Sequence, residues 1–427
     1  MLTEAWTSLR YHEQQCAAYR SKARFVALAC GRGSGKTELA RRRIVRYLPV
    51  VKPWIKPLYA YVLPIQAQAS RVAWKPLKDL VPKSWITKVD ESNKIIETRF
   101  GSELHVVGAD KPERLEGVQW DGVVIDESCD QKDELFRLTI RPALSHRDGW
   151  CWRIGVPKRA GRGRNDFKRW FDRGASGELD YHESYTWKSS TVLTASEIIE
   201  ARQDLGELDF DEQYDASWVS ASGVIFYAFS VAGNVRESAV YREDRPIIVG
   251  SDFNVDPMAW CLGHIVDDRL EVFDELYVRN TNTLSCLEHL FKRYGQHRNG
   301  FWFHGDATSR SRKTSASSSD YVQIANDGRF KDSKLFYPKG NPRRADRFAA
   351  CNARLRNANG EHRVVVHPRC VNLIADLEAR SFKTGSNEPD DVGDVGHITD
   401  AFGYIIHRRW PLRLSLSAPA GIHTHGA

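Results

Sequence analysis

Short apolar runs recur through the first half of the chain and alternate with segments of helical periodicity. Runs without polar alternation are typical of parallel strands whose two faces are both covered by helices. Strands of this kind are predicted at 25–30, 58–63, 122–125 and 150–155. Helices are predicted at 37–47 and 66–80, and a hairpin at 95–107 turns at Gly101-Ser102. The pattern therefore predicts an α/β domain around parallel central strands.

The second half of the chain has a different order of elements. Strands predicted at 247–252, 259–265 and 270–278 form a meander, and strands then alternate with helices up to a final helix that carries His397 and Asp400. The elements between are predicted as helix 284–294, strand 301–306, helices 320–327 and 346–357, strand 363–367 and helix 371–381. This order predicts a ribonuclease-H-like domain.

An acidic helical segment separates the two halves. It shows no strand character, so we interpret it as a connector between domains. The predicted domains are therefore 1–190, the connector 191–222, and 223–427.

Composition supports two globular cores and excludes a membrane span. The 427 residues are 41% hydrophobic and 27% charged, and no apolar run approaches the length of a transmembrane helix. The N-terminus lacks the apolar core of a signal peptide, so an intracellular protein is expected. The eight cysteines are scattered, which indicates neither a disulfide framework nor a zinc ribbon. A net charge of +7 permits a polyanionic partner without requiring one.

A glycine-rich loop, Gly31-Arg-Gly-Ser-Gly-Lys-Thr37, follows the first strand. Its glycines allow several backbone N–H groups to converge on one anion, and the next helix directs its positive end to the same point. In such a loop Lys36 contacts the β/γ-phosphates and Thr37 ligates Mg²⁺. Cys30 replaces the first glycine of the usual pattern. The alternative is a glycine-rich turn without a ligand, but the order of strand, loop and helix favours a nucleoside triphosphate site.

Two acids end the strand at 122–125. Because open α/β sheets bind ligands at the carboxyl ends of their strands, Asp126 and Glu127 are expected beside the glycine-rich loop. Asp126 would hold Mg²⁺, and Glu127 would polarise the attacking water as a general base. Strands also end in acids merely because turns favour them, and the glycine-rich loop decides between these alternatives.

Three aspartates of the second half are candidate nuclease residues. Asp252 and Asp306 end two strands that neighbour each other in a ribonuclease-H-like sheet, and Asp400 lies on the last helix. Three adjacent carboxylates stay ionised only with cations between them, and two Mg²⁺ or Mn²⁺ ions could support phosphodiester hydrolysis.

Alternatives to this set remain open. Asp391 and Asp394 compete with Asp400, and Asp256 competes weakly with Asp252. Glu275 could be a fourth ligand, although an exposed strand acid is favoured. His397 could orient a carboxylate, although a helix-surface position is favoured.

Basic residues could contact a nucleic-acid backbone, or they could be only solvated charges. They lie in the loop 158–164, near Asp306, and at the start of the helix at 346–357: Arg310, Arg312, Lys313, Arg343, Arg344 and Arg347.

These motifs together resemble the large terminase subunit of tailed bacteriophages. The resemblance covers nearly the whole chain and is most specific at four segments: Gly31–Thr37, Val123-Val-Ile-Asp-Glu127, Gly155-Val-Pro157, and His397-Ile-Thr-Asp400-Ala401 with Tyr404. It implies an ASCE-type P-loop ATPase domain followed by a ribonuclease-H-like endonuclease domain. A helicase-like repair or defence ATPase with an accessory nuclease is the alternative.

The resemblance also implies roles for individual residues. Gln15, with Gln14 as a near alternative, reads adenine, and Arg32 contacts phosphate. Arg114 would reach a neighbouring subunit's nucleotide, and Gly155, Val156 and Pro157 occupy the coupling position, where the family more often has a hydroxyl residue. The implied ATP-binding set is Gln15, Gly31, Arg32, Gly33, Ser34, Gly35, Lys36, Thr37 and Asp126, and the implied nuclease carboxylates are Asp252, Asp306 and Asp400.

The implied cofactors are ATP and Mg²⁺, with Mn²⁺ as an alternative at the nuclease site. The implied partners are double-stranded DNA, a small terminase subunit and a portal protein. The chain would form a homo-oligomeric ring during packaging, with a monomer possible in isolation, in the cytoplasm of an infected bacterial host.

Overall fold

The computed structural model describes residues 11–159, 161–219, 223–310, 318–383, 386, 388–391 and 395–412. It contains two compact units: Met1–Ile198 with Asp211–Ser220, and Ile199–Phe210 with Ala221–Ala427. The segment predicted as a connector thus shares its residues between the two units. The functional domain boundaries stay a prediction.

The first unit is built on a sheet that has eight strands among the described residues, in the order β3-β4-β5-β2-β6-β7-β1-β8. Its central pairs are parallel, and β3-β4 and β4-β5 are antiparallel. The strands are β1 Phe25–Ala29, β2 Leu58–Leu63, β3 Ile86–Asp90, β4 Ile95–Thr98, β5 Glu103–Gly108, β6 Gly122–Ile125, β7 Trp150–Gly155 and β8 His182–Tyr185. The strand β7 lies between the P-loop strand β1 and the acid-bearing strand β6, which is the ASCE-type arrangement.

Successive residues of β1 pack into opposite hydrophobic clusters. Val26 and Leu28 belong to one cluster, and Phe25, Ala27 and Ala29 belong to the other. Both faces of the strand are therefore covered, which is why its sequence shows no polar alternation.

Helices cover this sheet on both faces. The α-helices are α1 Glu13–Arg20, α2 Lys36–Tyr47, α3 Gln66–Gln68, α4 Lys75–Leu80, α5 Arg141–Ala143 and α6 Arg164–Ala175. A π-helical segment, Ala69–Trp74, joins α3 to α4, so the predicted helix at 66–80 is continuous but not uniformly α-helical. Two further helices, α7 Ala195–Asp204 and α8 Glu207–Gln213, lie where the two units interleave along the chain.

The second unit contains a sheet with six described strands in the order β13-β12-β9-β10-β11-β14. The antiparallel meander β9-β10-β11 and the parallel pairing of β12 with β9 are present as predicted. The strands are β9 Ile247–Asp252, β10 Met258–Val266, β11 Arg269–Val278, β12 Phe301–Gly305, β13 Lys334–Phe336 and β14 Val364–Val366.

The helices of the second unit flank this sheet. They are α9 Val231–Asn234, α10 Thr283–Tyr294, α11 Asp320–Asn326, α12 Arg344–Leu355, α13 Val371–Ala379 and α14 His397–Arg409. The helix α14 lies directly on β9, where a side chain on Gly250 would collide with the carbonyl oxygen of Ala401. This packing brings the first turn of α14 to the carboxyl ends of β9 and β12.

All eight cysteines are free thiols. In the described part of the chain, no helix has the length and hydropathy needed to cross a membrane.

Candidate functional site

The glycine-rich loop is held closely against the segments that follow β8 and α8. The N–H of Gly31 donates to the carbonyl of Trp187 at 3.0 Å. A Cβ atom on Gly31 would lie 2.5 Å from the carbonyl oxygen of Tyr214 and 2.7 Å from the amide nitrogen of Ser189, so a side chain does not fit there. Gly35 has a left-handed φ of 79°, which glycine adopts without strain.

Gln15 reaches the loop from α1. Its Nε2 donates to the Ser34 carbonyl at 3.1 Å, and the indole of Trp187 donates to the same carbonyl at 2.9 Å. The side-chain oxygens of Gln15 and Ser34 are buried, and neither has a hydrogen-bond partner among the described residues. Gln14 is exposed on the same helix. The geometry thus places Gln15, rather than Gln14, at the loop, and its role in reading adenine stays a prediction.

Asp126 meets the loop from the end of β6. The Thr37 hydroxyl donates to Asp126 Oδ2 at 3.3 Å, and the Tyr61 hydroxyl donates to the same oxygen at 2.7 Å. Burial raises the pKa of Asp126, and the neighbouring charge of Glu127 raises it further. The Thr37 hydroxyl and the Asp126 carboxylate are hard oxygen donors of the kind that Mg²⁺ prefers, so these residues fit that ion.

Lys36 lies inside the loop. Its side chain is buried, and its Nζ donates to the Gly31 carbonyl at 3.3 Å. The ammonium therefore lies within the ring of backbone groups that the loop forms.

Glu127 lies among cations. Lys158 Nζ donates to Glu127 Oε2 at 3.2 Å and also contacts the carboxylate of Asp130. Burial opposes ionisation of Glu127, but Lys158, Lys36 and Arg32 outweigh it and lower the pKa of this carboxyl. Burial likewise opposes the charge of Lys158, but the two carboxylates raise the pKa of its ammonium. Glu127 is therefore an ionised carboxylate near the glycine-rich loop.

Two contacts join the glycine-rich loop to α8 and to the end of β7. Arg32 donates through Nε and Nη2 to Gln213 Oε1, at 3.1 and 2.7 Å. Gly155, at the end of β7, accepts a hydrogen bond from the Cys30 N–H at 3.0 Å, so the segment Gly155-Val156-Pro157 begins beside the loop. Cys30 itself is buried, and burial raises the pKa of its thiol.

Arg114 lies on the surface of the first unit. It ends a short 3₁₀ turn, Pro112–Arg114, and donates to Gln66 Oε1 at 3.2 Å. Its predicted role toward a neighbouring subunit stays a prediction.

The three aspartates of the second unit lie within electrostatic range of one another. Burial raises the pKa of Asp252. The charges of Asp400 and Asp306 add to this rise, and a hydrogen bond from His397 opposes it. That bond joins His397 Nδ1 to Asp252 Oδ2 at 2.9 Å. The expectation that His397 occupies a free helix surface is therefore wrong, because the packing of α14 on β9 brings its ring to the acid.

Buried arginines compensate the charge of Asp400. Arg380 Nη1 and Arg347 Nη2 lie 2.6 and 2.8 Å from Asp400 Oδ1, and the two arginine side chains are only 1% and 3% exposed. Arg347 is thus not available to neutralise a nucleic-acid backbone, which corrects that prediction. Asp306 accepts the backbone N–H groups of Thr308 and Ser309, both at 3.2 Å.

This arrangement does not fit the predicted metal centre. In the described ranges, no three Asp, Glu, His or Cys side chains are placed so that they could hold a metal ion. Cations were expected between Asp252, Asp306 and Asp400, and the fold supplies two arginine side chains to Asp400. The metal assignment of these three residues stays a prediction.

Two of the competing acids, Asp391 and Asp256, lie beside arginines. Asp391 pairs with Arg380 and Arg344, each at 2.8 to 2.9 Å. Asp256 lies 3.7 Å from Arg279. Asp394, Arg312 and Lys313 lie outside the described residues.

Glu275 is buried and accepts the N–H groups of Asn372 and Leu373 at the start of α13, at 2.8 and 2.9 Å. The preferred interpretation of Glu275 as an exposed strand acid is therefore wrong. This carboxylate stabilises a helix N-terminus instead.

Sequence reasoning missed the partners of the predicted residues. Lys158 and Arg159 were predicted to lie in a basic loop, either on phosphate or in solvent, yet both pair with acids of the same unit. No sequence motif includes Tyr61, Gln213 or Arg380. Their contacts arise only when separate strands and helices are brought together.

Comparisons with known proteins agree with the motifs. No family model matches the chain. The large terminase subunit of Escherichia phage T5 is 25% identical over 220 residues, which are 50% of this chain and 48% of that protein. The large terminase subunit of Thermus phage G20c is 26% identical over 325 residues, 65% of this chain and 62% of that protein. The chain thus spans about half to three fifths of the length of these relatives.

A solved structure of the large terminase from a thermophilic bacteriophage has the same fold. It superposes with a TM-score of 0.59 over 93% of this chain and 99% of that protein, at 14% identity. The predicted resemblance to large terminases is confirmed. The α/β fold, with its P-loop and ribonuclease-H-like halves, is confirmed with it, and the helicase-like alternative is not favoured because the similar curated sequences are large terminases.

Proposed function

We propose that this terminase-like chain is the motor that uses ATP hydrolysis to drive double-stranded DNA into a viral capsid. The observation that supports this most directly is the meeting of Thr37 and Asp126 at 3.3 Å beside a phosphate-binding loop, in a chain with the large terminase fold. The large terminase of the thermophilic bacteriophage has also been solved in complex with ATP-γ-S, and we infer that this chain takes the same class of nucleotide.

In the proposed mechanism the loop amides and Lys36 bind the nucleotide's phosphates, and Gln15 meets the adenine. Thr37 and Asp126 are the residues that would hold Mg²⁺, which when bound supplies positive charge to the phosphates. Glu127 accepts a proton from the attacking water, since it is ionised and lies near the cations of the loop. Arg32 contacts phosphate, and Arg114 serves a neighbouring subunit in a ring.

We also propose that the second unit cuts concatemeric DNA. The support is the convergence of Asp252, Asp306 and Asp400 at one edge of a ribonuclease-H-like sheet, with His397 orienting Asp252. Dependence of cutting on a divalent ion stays a prediction.

The proposed partners are those that the resemblance to large terminase subunits implies. They are double-stranded DNA, contacted through its backbone, a small terminase subunit and a portal protein, in the cytoplasm of an infected bacterium. Binding through the DNA backbone should weaken steeply with salt.

The motor is tested by ATP turnover with and without DNA. Lys36→Ala should abolish DNA-stimulated turnover, because it removes the phosphate-binding ammonium. Lys22→Ala, at an exposed position of the same unit, is the matched control and should turn over ATP like the parent chain. Retained turnover in Lys36→Ala would refute the assignment of the P-loop.

The nuclease is tested by plasmid cutting in Mg²⁺ or Mn²⁺, each with an EDTA control. Asp252→Asn should stop cutting while leaving ATP turnover intact. Exposed Asp332→Asn is the control in the same unit. Undiminished cutting by Asp252→Asn would remove this acid from the proposed site.

A further inference from the structure

Lys158 has a place in the structure that the proposed mechanism does not use. It follows the segment Gly155-Val156-Pro157 at the end of β7, and its side chain is only 21% exposed. Its ammonium bridges two carboxylates of the segment after β6, Glu127 at 3.2 Å and Asp130. The Glu127 and Asp130 side chains are 29% and 38% exposed, so removing this ammonium leaves two partly shielded charges without their partner.

Glu127 combines an unfavourable backbone conformation with neighbouring charges of both signs. Its backbone has a left-handed φ of 49°, a conformation that is unfavourable for a residue with a side chain. Asp126 repels it from one side, while Lys36 and Arg32 attract it toward the phosphate-binding loop. Without Lys158, Lys36 would be the strongest remaining attraction, yet Lys36 is the cation that the proposed mechanism assigns to phosphate.

The position of Lys158 is fixed by its neighbour in sequence. Arg159 donates through its backbone N–H and Nε to Glu212 Oε2, at 2.7 and 3.0 Å. Glu212 Oε1 accepts from Gln213 Nε2 at 2.7 Å, and Gln213 holds Arg32 of the loop. Hydrogen bonds therefore tie the backbone beside Lys158 to the same loop that Glu127 faces.

We propose that Lys158 is a positioning residue that holds the Glu127 carboxylate away from Lys36, so that Lys36 stays free to bind the nucleotide's phosphates. This inference rests on the proposed ATPase. In the absence of Lys158, Glu127 pairs with Lys36 and competes with the incoming phosphate, so both nucleotide affinity and turnover fall.

The test is a double-mutant cycle on binding of a fluorescent ATP analogue with Mg²⁺. Lys158→Met should weaken binding about tenfold, as expected when one charge pair replaces another at a partly buried site. The same substitution in a Glu127→Gln background should change affinity less than twofold, because the competing charge is gone. Lys158→Arg should restore most of the affinity, and Lys132→Met, at an exposed position, is the control.

The outcomes separate the inference from the proposed function. If the parent chain does not bind the analogue, the ATPase proposal fails. If the parent chain binds the analogue, an unchanged affinity in Lys158→Met overturns the inference. A loss of affinity that persists in the Glu127→Gln background also overturns it, because a merely structural lysine would act regardless of the charge at 127. A Lys158→Met chain that hydrolyses ATP faster than the parent would also overturn it, because the contact would then restrain Glu127.

Discussion

Replacing Arg380 with methionine probes the charge network around Asp400 in the second unit. Arg380 follows α13 and donates to Asp400 Oδ1 at 2.6 Å, to the Thr399 hydroxyl at 2.9 Å and to the Gly396 carbonyl at 3.2 Å. Its Nη2 also pairs with Asp391 at 2.8 Å. Methionine keeps much of the side chain's length but removes every one of these donors.

The loss of stability depends on which arginine each acid keeps. Removing one partner of a buried ion pair typically costs about 3–5 kcal/mol because the other charge is left uncompensated. Asp400 keeps Arg347 at 2.8 Å, and Asp391, which is 32% exposed, keeps Arg344. We therefore expect the lower end, about 3 kcal/mol, which in a unit of about 200 residues lowers the melting temperature by about 6–12 °C.

Differential scanning calorimetry of the full chain measures this change. Arg344→Met is the matched control, because it removes a 55% exposed arginine from the same Asp391 and should cost at most about 1 kcal/mol. Adding Asp400→Asn to Arg380→Met should recover part of the loss, because the orphaned charge disappears. An Arg380→Met chain that melts within about 2 °C of the parent would show that the two acids do not depend on this guanidinium.

Two further outcomes are expected. Gly31→Ala should weaken binding of the fluorescent ATP analogue at least tenfold, because the new Cβ would lie 2.5 Å from the Tyr214 carbonyl oxygen. Gly328→Ala is the control and should bind normally, because its Cβ meets open space. Equal binding by both variants would contradict the loop geometry. His264 is buried, accepts the Arg242 N–H through Nε2 at 3.0 Å and contacts the Pro246 carbonyl through Nδ1, and burial lowers its pKa to about 4. As the pH falls, the unfolded chain protonates this histidine before the folded chain does. The contribution of neutral His264 to the free energy of unfolding is therefore present above its ordinary pKa of about 6.5, and about 3 kcal/mol is lost as the pH falls toward 4. The melting temperature of the parent should approach that of His264→Gln over this range, and a constant difference would contradict a neutral His264.

Much of the fold could be predicted because burial leaves a direct signature in sequence. The strands β2, β7 and β9 have the predicted bounds, since each is an almost uninterrupted apolar run between breaks. The strands β3, β8 and β13 were not predicted. They are short and partly exposed, and β3 and β8 are rich in polar residues, so no apolar run marks them; each is paired to the edge of a neighbouring strand.

Sequence alone was enough to bring together the residues of the glycine-rich loop. That loop is local, so Lys36 and Thr37 could be predicted from their spacing, and Asp126 was expected beside them because parallel strands end at one edge. Tertiary structure alone decided which cations the acids meet. Lys158 reaches Glu127 from the end of another strand, and Arg380 reaches Asp400 from the end of another helix. A carboxylate can be counted in a sequence, but its charge is balanced by whatever the fold places within a few ångströms, and that depends on packing between distant segments.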